Sequence, residues 1–373
     1  MNTIRQFHDV INDSDGYARR LKKDSGKKLL GYFCSYTPEE IIHAAGIHPM
    51  RLFGTRSAIA HADAHLQAYS CSLVRGVLEE ALAGRLEYLD GAVFPHTCDS
   101  IQRLSDIWRL NLKFSFHSDV VLPVKLDTAS ARQYMADVLR KFRRELEMGL
   151  GLGITDAQLS KSIKTFNTIK RALGKIYRLR SANPGLIAGA DVYALVKSAM
   201  IMDRAEAAEK LTAFAAELEA VKDAKPGSGK RIVVSGGLCD HADIYSIIEK
   251  SGGAVVWDDL CTGSRYFEGL VSEDGDPIEA LADRYTGRVV CPAKHSSITA
   301  RGENIVSIAK EHRASGVIFL LLKFCDPHSF DYPYMKEMLD GAGVPSMLME
   351  IEQDLPSEGQ LSTRFEAFIE MLR

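Results

Sequence analysis

Seven cysteines are the residues of this sequence that are best suited to chemistry, and none of them forms a CxxC pair. They lie at Cys34, Cys71, Cys98, Cys239, Cys261, Cys291 and Cys325. The N-terminus has no apolar segment of signal-peptide length, which favours a cytoplasmic protein whose thiols stay reduced. Reduced thiols serve as small buried hydrophobes, as nucleophiles or as metal ligands. The positions of the seven cysteines must therefore distinguish between these roles.

Five of the cysteines lie within four residues after segments whose pattern predicts strands. These are Cys34 after 27–33, Cys98 after 92–94, Cys239 after 231–235, Cys261 after 254–257 and Cys325 after 316–322. Cys291 follows the short apolar pair Val289-Val290, whereas Cys71 lies within or at the start of a helix predicted over 66–82. Open α/β sheets assemble their sites at the carboxyl ends of strands, so this placement favours ligands over core fillers. Structural zinc usually takes its ligands in close pairs, so thiolates from distant loops fit an iron–sulfur cluster better.

The elements that must position these thiols alternate between strands and helices, which predicts parallel sheets. We expect an α/β protein with two doubly wound, Rossmann-like or flavodoxin-like domains, an intervening helical segment and the cluster in the cleft between the domains. The polar stretch 221–230 is interpreted as a linker. The expected units are an N-terminal helical segment (1–25), a first α/β domain (26–128), the helical segment (129–222) and a second α/β domain (230–373).

Local signals predict several element ends. Thr37-Pro38-Glu39-Glu40 is typical of a helix start with Thr37 as the N-cap, and Thr155 to Gln158 resembles a capping box. The apolar run 120–124 predicts a strand. Gly149 to Gly153 follows a helical pattern, so it is interpreted as a helix stop rather than a dinucleotide-binding loop.

Charge and motifs exclude some functions. Lys and Arg number 46 against 49 Asp and Glu, which argues against a surface built for nucleic acid or anionic lipid. The longest purely apolar run, 317–322, is too short to cross a membrane. Gly229-Lys230-Arg231 lacks the Ser or Thr of a phosphate-binding loop and precedes its strand, so no ATP site is expected. Asp99 and Asp326 each follow a cysteine and are candidates for helix caps or for proton transfer.

Several segments in the right order resemble the superfamily of 2-hydroxyacyl-CoA dehydratase D-components and benzoyl-CoA reductases. They are 31–46 (GYFCSYTPEEIIHAAG), 69–72 (YSCS), 95–99 (PHTCD), 323–327 (KFCDP) and 363–368 (TRFEAF). The resemblance implies one [4Fe–4S] cluster held by Cys71, Cys98 and Cys325. It also implies electron delivery by a separate ATP-hydrolysing [4Fe–4S] activator protein, which agrees with a chain that has no phosphate loop of its own.

The other four cysteines exceed what one such cluster needs. One branch of the superfamily, homodimeric reductases with a double-cubane [8Fe–9S] cluster, is similar in this respect. The segments 258–267 and 291–295 of this sequence resemble the segments that hold the second cubane in that branch. This implies Cys239, Cys261 and Cys291 as its ligands, with Cys34 either spare or in place of Cys239. Ser35, Ser72, His96, Asp99 and Asp326 border these cysteines and are candidate proton donors or ligand-orienting residues.

The sequence therefore favours an anaerobic iron–sulfur oxidoreductase that reduces small molecules at low potential, and two alternatives stay open. The first is a single-cluster subunit of a 2-hydroxyacyl-CoA dehydratase, such as 2-hydroxyglutaryl-CoA dehydratase, or of a benzoyl-CoA reductase. There the substrate would be a CoA thioester and the open iron would act as a Lewis acid. The second is a non-catalytic partner subunit or cluster-assembly protein. Neither nucleic acid nor a membrane is expected as a partner.

Overall fold

The computed structural model describes residues 2–221, 227–288, 291–352 and 354–372. Within these ranges the strands are β1 (Leu29–Tyr32), β2 (His48–Arg51), β3 (Gly91–Pro95), β4 (Phe116–Val120), β5 (Lys230–Gly236), β6 (Gly253–Asp259), β7 (Gly316–Leu322) and β8 (Ser346–Ile351). The helices are α1 (Asn2–Asn12), α2 (Ser14–Ser25), α3 (Glu39–Ala44), α4 (Ser72–Leu82), α5 (Asp99–Asn111), α6 (Ala129–Leu150), α7 (Asp156–Ala182), α8 (Gly189–Ala199), α9 (Arg204–Glu219), α10 (Ala242–Lys250), α11 (Ser264–Phe267), α12 (Pro277–Gly287), α13 (Ala300–Glu311), α14 (Asp326–Gly341) and α15 (Glu358–Glu370).

The strands form two four-stranded sheets, and every pairing within them is parallel. The first sheet has the order β2-β1-β3-β4 and the second has the order β6-β5-β7-β8. The two sheets therefore share one strand order, and helices separate their strands in the chain. The prediction of an α/β fold with two parallel-sheet domains is confirmed.

Apolar side chains explain why the central strands are central. Every residue of β1, β3 and β7 is buried, as expected for parallel strands that are covered by helices on both faces. β4 and β8 alternate or mix buried and partly exposed residues, since each lies at the edge of its sheet. The amino acids of the central strands thus fix both sheets inside the core.

The segment between the sheets is helical, as predicted, and consists of α6 to α9. The capping box at Thr155 and Gln158 is present at the start of α7, and Gly151 ends α6 in a left-handed conformation, so both predicted signals are confirmed. Two buried ion pairs join α3 to this segment. Lys170 Nζ lies 2.9 Å from Glu40 Oε1, and Arg204 Nη2 lies 2.9 Å from Glu39 Oε2.

These ion pairs explain why the predicted start of α3 is wrong. The helix begins at Glu39 with Pro38 in the cap position, and no side chain caps it. Thr37 Oγ1 is buried without a hydrogen-bond partner, while Glu39 and Glu40 are turned towards Arg204 and Lys170. Both carboxylates are thus used in tertiary ion pairs rather than in a capping box.

Other element ends differ from the sequence-based expectations. The strand predicted over 120–124 is wrong, because β4 runs over Phe116–Val120, and Val121 and Val124 after it are exposed. The helix predicted over 66–82 begins only at Ser72, and α14 begins at Asp326, before the expected segment. β2 was not predicted at all. The residues 222–226 of the expected linker and the pair Val289-Val290 lie outside the described residues.

The lengths and apolar character of the helices bear on whether any of them could span a membrane. Across the part of the chain that the structure describes, no helix combines the length and the apolar character that a bilayer span requires.

Candidate iron–sulfur site

Three of the cysteines occupy the same local position, the N-cap of a helix. Cys71 precedes α4, Cys98 precedes α5 and Cys325 precedes α14. Backbone N–H groups of the first helical turn lower the pKa of each thiol and so oppose the rise that burial causes. The positive end of a helix dipole favours negative charge, so three helix N-termini favour thiolates here.

Cys98 and Cys325 cap helices that begin with Asp99 and Asp326, so neither aspartate is itself the cap residue. Each is the first residue of its helix, where a carboxylate still interacts favourably with the dipole. Their predicted role as N-caps is therefore wrong by one position.

Electrostatic effects on the thiol pKa values link six of the seven cysteines, each to at least two others of the six. Burial raises the pKa of Cys325 well above its ordinary value, and the charges of Cys71, Cys98 and Cys261 raise it further. Burial likewise raises the pKa of Cys98 to about 12, with contributions from Cys71 and Cys34. These contacts join Cys34 and Cys261 to the three N-cap cysteines.

Cys291 closes this set. Burial raises its pKa to about 11, and the charges of Cys261 and Cys34 add to the rise. We call the set Cys34, Cys71, Cys98, Cys261, Cys291 and Cys325 the thiol ring, because its members follow one another as neighbours in a closed circuit. Three of them belong to the half of the chain with the first sheet and three to the half with the second.

Cys239 lies apart from the thiol ring. Burial raises its pKa to about 12, and the charged groups with the largest effect on it are Asp240, Asp258 and Lys197, with no cysteine among them. Its backbone N–H donates to Thr262 Oγ1 at 3.2 Å, and its sulfur is fully buried. Cys34 holds the equivalent position after the first strand of the other sheet, but it belongs to the thiol ring.

Buried cations surround the half of the ring formed by Cys34, Cys261 and Cys291. Arg265 donates from Nη1 to Cys261 Sγ at 3.5 Å. The charges of Cys34 and Cys291 act on Arg288 and Lys294, favouring the protonated form of both; burial lowers the pKa of Lys294. The Arg288 Nε and the Tyr36 hydroxyl are buried and have no hydrogen-bond partner within the described part of the chain. A negatively charged group among these thiols would find cations and unused donors in place.

One histidine connects the two halves of the ring. Its Nδ1 lies 3.2 Å from Cys325 Sγ, and its Nε2 lies 3.4 Å from Arg265 Nη1. This residue, His328, is buried, and burial together with Arg265 and Arg301 lowers its pKa well below the ordinary value. A neutral imidazole therefore stands between Cys325 and the guanidinium that contacts Cys261.

A cavity of about 480 Å³ opens beside the three N-cap cysteines. Its wall includes His96, Asp99 and Asp326, so three of the candidate proton donors share one space with Cys71, Cys98 and Cys325. Nε2 of His96 lies 2.9 Å from Asp119 Oδ1, which orients the imidazole. A second cavity of about 730 Å³ shares His295, Phe330 and Asp331 with the first, so the space continues along α14.

The other two candidates lie elsewhere. Ser35 is buried and accepts a hydrogen bond from Arg288 Nη2 at 3.3 Å, so it borders Cys34 rather than the cavity. Ser72 lines a small separate cavity with Leu238 and His241. The structure thus brings His96, Asp99 and Asp326 together and separates them from the two serines.

The arrangement differs from a site for a single metal ion. Within the described ranges, no three Cys, His, Asp or Glu side chains converge so that they could hold one ion. An iron–sulfur cluster does not need such convergence, because each cysteine binds a different iron atom and sulfide bridges the irons. The donor chemistry, six thiols with helix N-termini and cations around them, fits a cluster.

Sequence reasoning assigned no role to Arg265, Arg288, Lys294 and His328. A signal for two of them is present, since Arg265 follows Cys261 by four positions and His328 follows Cys325 by three, the spacing of one helical turn. The approach of Arg288 to Cys34 depends on the packing of α12 against the first half of the chain and has no local signal.

Fold and site together define an α/β protein in which four thiols of the ring lie just beyond the carboxyl ends of parallel strands, two in each sheet. The family model for the D-component of 2-hydroxyglutaryl-CoA dehydratase matches residues 34–372. The chain is 31% identical to the (R)-phenyllactyl-CoA dehydratase beta subunit of Clostridium sporogenes, covering 99% of this chain and 98% of that protein. It is also 31% identical to a benzoyl-CoA reductase subunit of Thauera aromatica, covering 92% of this chain and 90% of that protein. The (R)-2-hydroxyglutaryl-CoA dehydratase beta subunit of Acidaminococcus fermentans is 28% identical, covering 94% of both chains.

The chain therefore belongs to the 2-hydroxyglutaryl-CoA dehydratase D-component family, which the sequence resemblance predicted. Relatives in this family are subunits of dehydratases and of a reductase, so an enzymatic role is supported at this level.

Proposed function

We propose that this protein is an iron–sulfur reductase that holds a double-cubane [8Fe–9S] cluster in its thiol ring. Cys71, Cys98 and Cys325 are the ligands of the first cubane, as the family resemblance implies. Cys34, Cys261 and Cys291 are the ligands of the second. Cys34 takes the place that the sequence interpretation gave first to Cys239.

The observation that carries the proposal is the closed circuit of six neighbouring thiols with the seventh left out. A single [4Fe–4S] cluster uses at most four cysteines, so it leaves at least two thiols of the ring without a function. Cys291 has Cys34 and Cys261 as its neighbours, and neither of these two is a ligand of the first cubane. Two sets of three thus account for the whole ring.

The surroundings of the second set support a bound anion. Arg265, Arg288 and Lys294 are buried cations, and burying them without a negative partner is costly. Asp259 neutralises part of this charge, because its Oδ1 is bound by Arg265. A negatively charged cluster would neutralise the remainder, and hydrogen bonds to its sulfurs would tune its potential.

When bound, such a cluster supplies low-potential electrons and an iron with an open coordination position. The chain's own residues then have separable tasks. The walls of the 480 Å³ cavity hold a small substrate beside the N-cap cysteines, and His96, held by Asp119, is placed to carry a proton to it. Electrons come from a separate ATP-hydrolysing [4Fe–4S] activator in the cytoplasm, and the active form is a homodimer.

A second candidate is a single-cluster subunit of a 2-hydroxyacyl-CoA dehydratase or a benzoyl-CoA reductase. The relatives favour it, because two of the three described above are dehydratase beta subunits and the third is a reductase subunit. In that case Cys71, Cys98 and Cys325 would hold one [4Fe–4S] cluster. A CoA thioester would occupy the continuous space along α14.

Iron and acid-labile sulfide counts on anaerobically purified protein separate the two candidates. The proposal predicts about eight irons per chain, and about four would support the single-cluster candidate instead. Cys34→Ala and Cys261→Ala are each expected to remove about half of the iron, because each variant deprives only the second cubane of a ligand.

Cys239→Ala is the control, since this thiol also follows the end of a strand and is more deeply buried than Cys34 and Cys261 but lies outside the ring. It is expected to keep the full iron content. Loss of half the iron in Cys239→Ala with retention in Cys34→Ala would reverse the assignment of the second cubane. Retention of all iron in both Cys34→Ala and Cys261→Ala would exclude the double cubane.

A further inference from the structure

Among the described residues, a buried arginine outside the thiol ring has no ion-pair partner. Arg51, the last residue of β2, is 2% exposed, and its Nε and Nη1 are buried without a hydrogen-bond partner. Its guanidinium lies against two aromatic rings, 5.6 Å from the ring centre of Tyr32 and 6.0 Å from that of Phe53. Cation–π contacts recover only part of the hydration that such a group loses on burial. A negatively charged ligand would supply the missing partner.

Arg51 lines a pocket of about 240 Å³ between β2, the loop that follows it, α4 and α8. A second cation lines the same pocket, because Lys197 Nζ lies 4.7 Å from the ring centre of Phe53. Arg56 lies on the same loop and also lines the pocket. The volume is below the roughly 300 Å³ at which pockets for drug-sized ligands begin, so it suits a small ligand.

The acidic residues of the pocket have donors of their own. Asp240 is bound by Lys197, and Tyr193 donates to its Oδ1 at 2.6 Å. Asp15 accepts a hydrogen bond from the Tyr88 hydroxyl at 3.0 Å. Glu80 is bound by Arg85, whose Nη2 donates to it at 3.0 Å. Arg51 thus differs from these acidic residues in that two of its guanidinium nitrogens, Nε and Nη1, have no acceptor among the described residues.

We infer that this pocket binds a small oxyanion, a carboxylate or a phosphoryl group, through the guanidinium of Arg51 with Lys197 as the second positive charge. Guanidinium groups suit both chemistries because they present several fixed N–H donors to oxygen. The site is separate from the thiol ring and does not depend on which cluster the ring holds. It places an anion beside Asp240, the residue that follows Cys239, the one cysteine outside the thiol ring.

Thermal unfolding of the anaerobically purified, cluster-loaded protein tests this inference. Sodium phosphate and sodium acetate are titrated separately against sodium chloride at constant ionic strength and pH. A saturable rise in Tm of at least about 2 °C with either anion is expected, because a ligand that binds the native state stabilises it. A response to phosphate alone identifies a phosphoryl site, and a response to acetate identifies a carboxylate site. No response beyond chloride overturns the inference.

Variants locate the binding. Arg51→Met is expected to lower the affinity for the anion at least about tenfold. Lys197→Met is expected to lower it several-fold. This second variant tests the inference even if Arg51→Met does not fold. Arg103→Met removes an exposed arginine of α5 as the matched control and leaves the response unchanged. An unaltered response in both Arg51→Met and Lys197→Met would assign any binding to another place and overturn the inference.

Discussion

His328 Nδ1 lies 3.2 Å from Cys325 Sγ, while His328 Nε2 approaches Arg265 Nη1 at 3.4 Å. The imidazole is packed against Gly237, where a Cβ would lie 3.3 Å from its Cε1. A glycine at this position therefore gives the imidazole its space. Because Arg265 also contacts Cys261, the histidine connects one thiol of each proposed cubane through a short polar path.

Replacing His328 should change the electronic properties of the cluster without emptying the site. His328→Leu removes the polar contact to Cys325, and the midpoint potential is expected to fall by tens of millivolts, since hydrogen bonds to sulfur raise it. His328→Gln retains a donor and should give a value closer to the wild type. Redox titration followed by EPR measures the effect, with iron content as the control. Equal potentials in all three proteins would contradict this role.

The buried pair Lys170–Glu40 should be important for stability. Both side chains are less than 5% exposed, so Lys170→Met leaves an unpaired buried carboxylate, which costs about 3 kcal/mol or more in unfolding free energy. The double variant Lys170→Met, Glu40→Gln should recover part of this loss. Urea unfolding measures both. The exposed pair Lys250–Glu358 is the control, and Lys250→Met should leave the midpoint unchanged.

Acid should destabilise the apoprotein through two buried histidines. Burial lowers the pKa of His48 to about 3 and that of His43 to about 4. The unfolded chain takes up these protons near pH 6.5, so the stabilisation is complete above that pH and is lost as the pH falls towards 4 and 3. Each histidine contributes a slope of up to about 1.4 kcal/mol per pH unit.

His48→Gln is expected to flatten this acid limb, because its side chain can still donate towards the Ile201 carbonyl that His48 Nε2 contacts at 2.8 Å. Unfolding free energies between pH 7.5 and pH 4.5 provide the measurement. The exposed His65→Gln should leave the slope as it is. An unchanged slope in His48→Gln would show that other groups dominate the acid response.

Gly236 at the end of β5 should tolerate no side chain. A Cβ there would lie 1.9 Å from the carbonyl oxygen of Leu320, its partner in β7. Gly236→Ala is expected to separate the two strands locally, cost about 1–3 kcal/mol and lower the iron content, since Cys261 is held by a backbone hydrogen bond to Gly237. Gly359→Ala, where the added carbon meets no heavy atom of the described residues within 4 Å, is the control. Iron counts and urea unfolding of both variants test this prediction. An iron content and unfolding midpoint in Gly236→Ala equal to those of Gly359→Ala would contradict it.

Sequence patterns predicted the parallel sheets because strands with apolar runs, such as β7, alternate with helices along the chain. β7 was predicted with both ends correct, since all of its residues are buried between helices. β2 has the sequence His-Pro-Met-Arg, and its burial depends on partners distant in the chain, such as the Ile201 carbonyl that contacts His48. Nothing local distinguishes such a strand from a loop.

The candidate site shows the same division. Strand ends are a local property, so the sequence could place the cysteines at the edges of the two sheets. Whether a thiol faces the ring or the interior is decided by packing. Cys34 and Cys239 follow equivalent strands, but Cys239 lies among Asp240, Asp258 and Lys197 and away from the other thiols. The choice between them therefore needed the tertiary structure.

The distribution of the ring along the chain sets the order of events during synthesis. In the proposed assignment, one cubane takes Cys71 and Cys98 together with Cys325, and the other takes Cys34 together with Cys261 and Cys291. Neither set is complete until the ribosome has passed residue 291, and the first must wait for residue 325. Metal insertion would therefore follow synthesis of both sheet-forming halves for the first set, and of the segment up to residue 291 for the second. An emerging N-terminal half would have to protect its thiols until these later cysteines arrive.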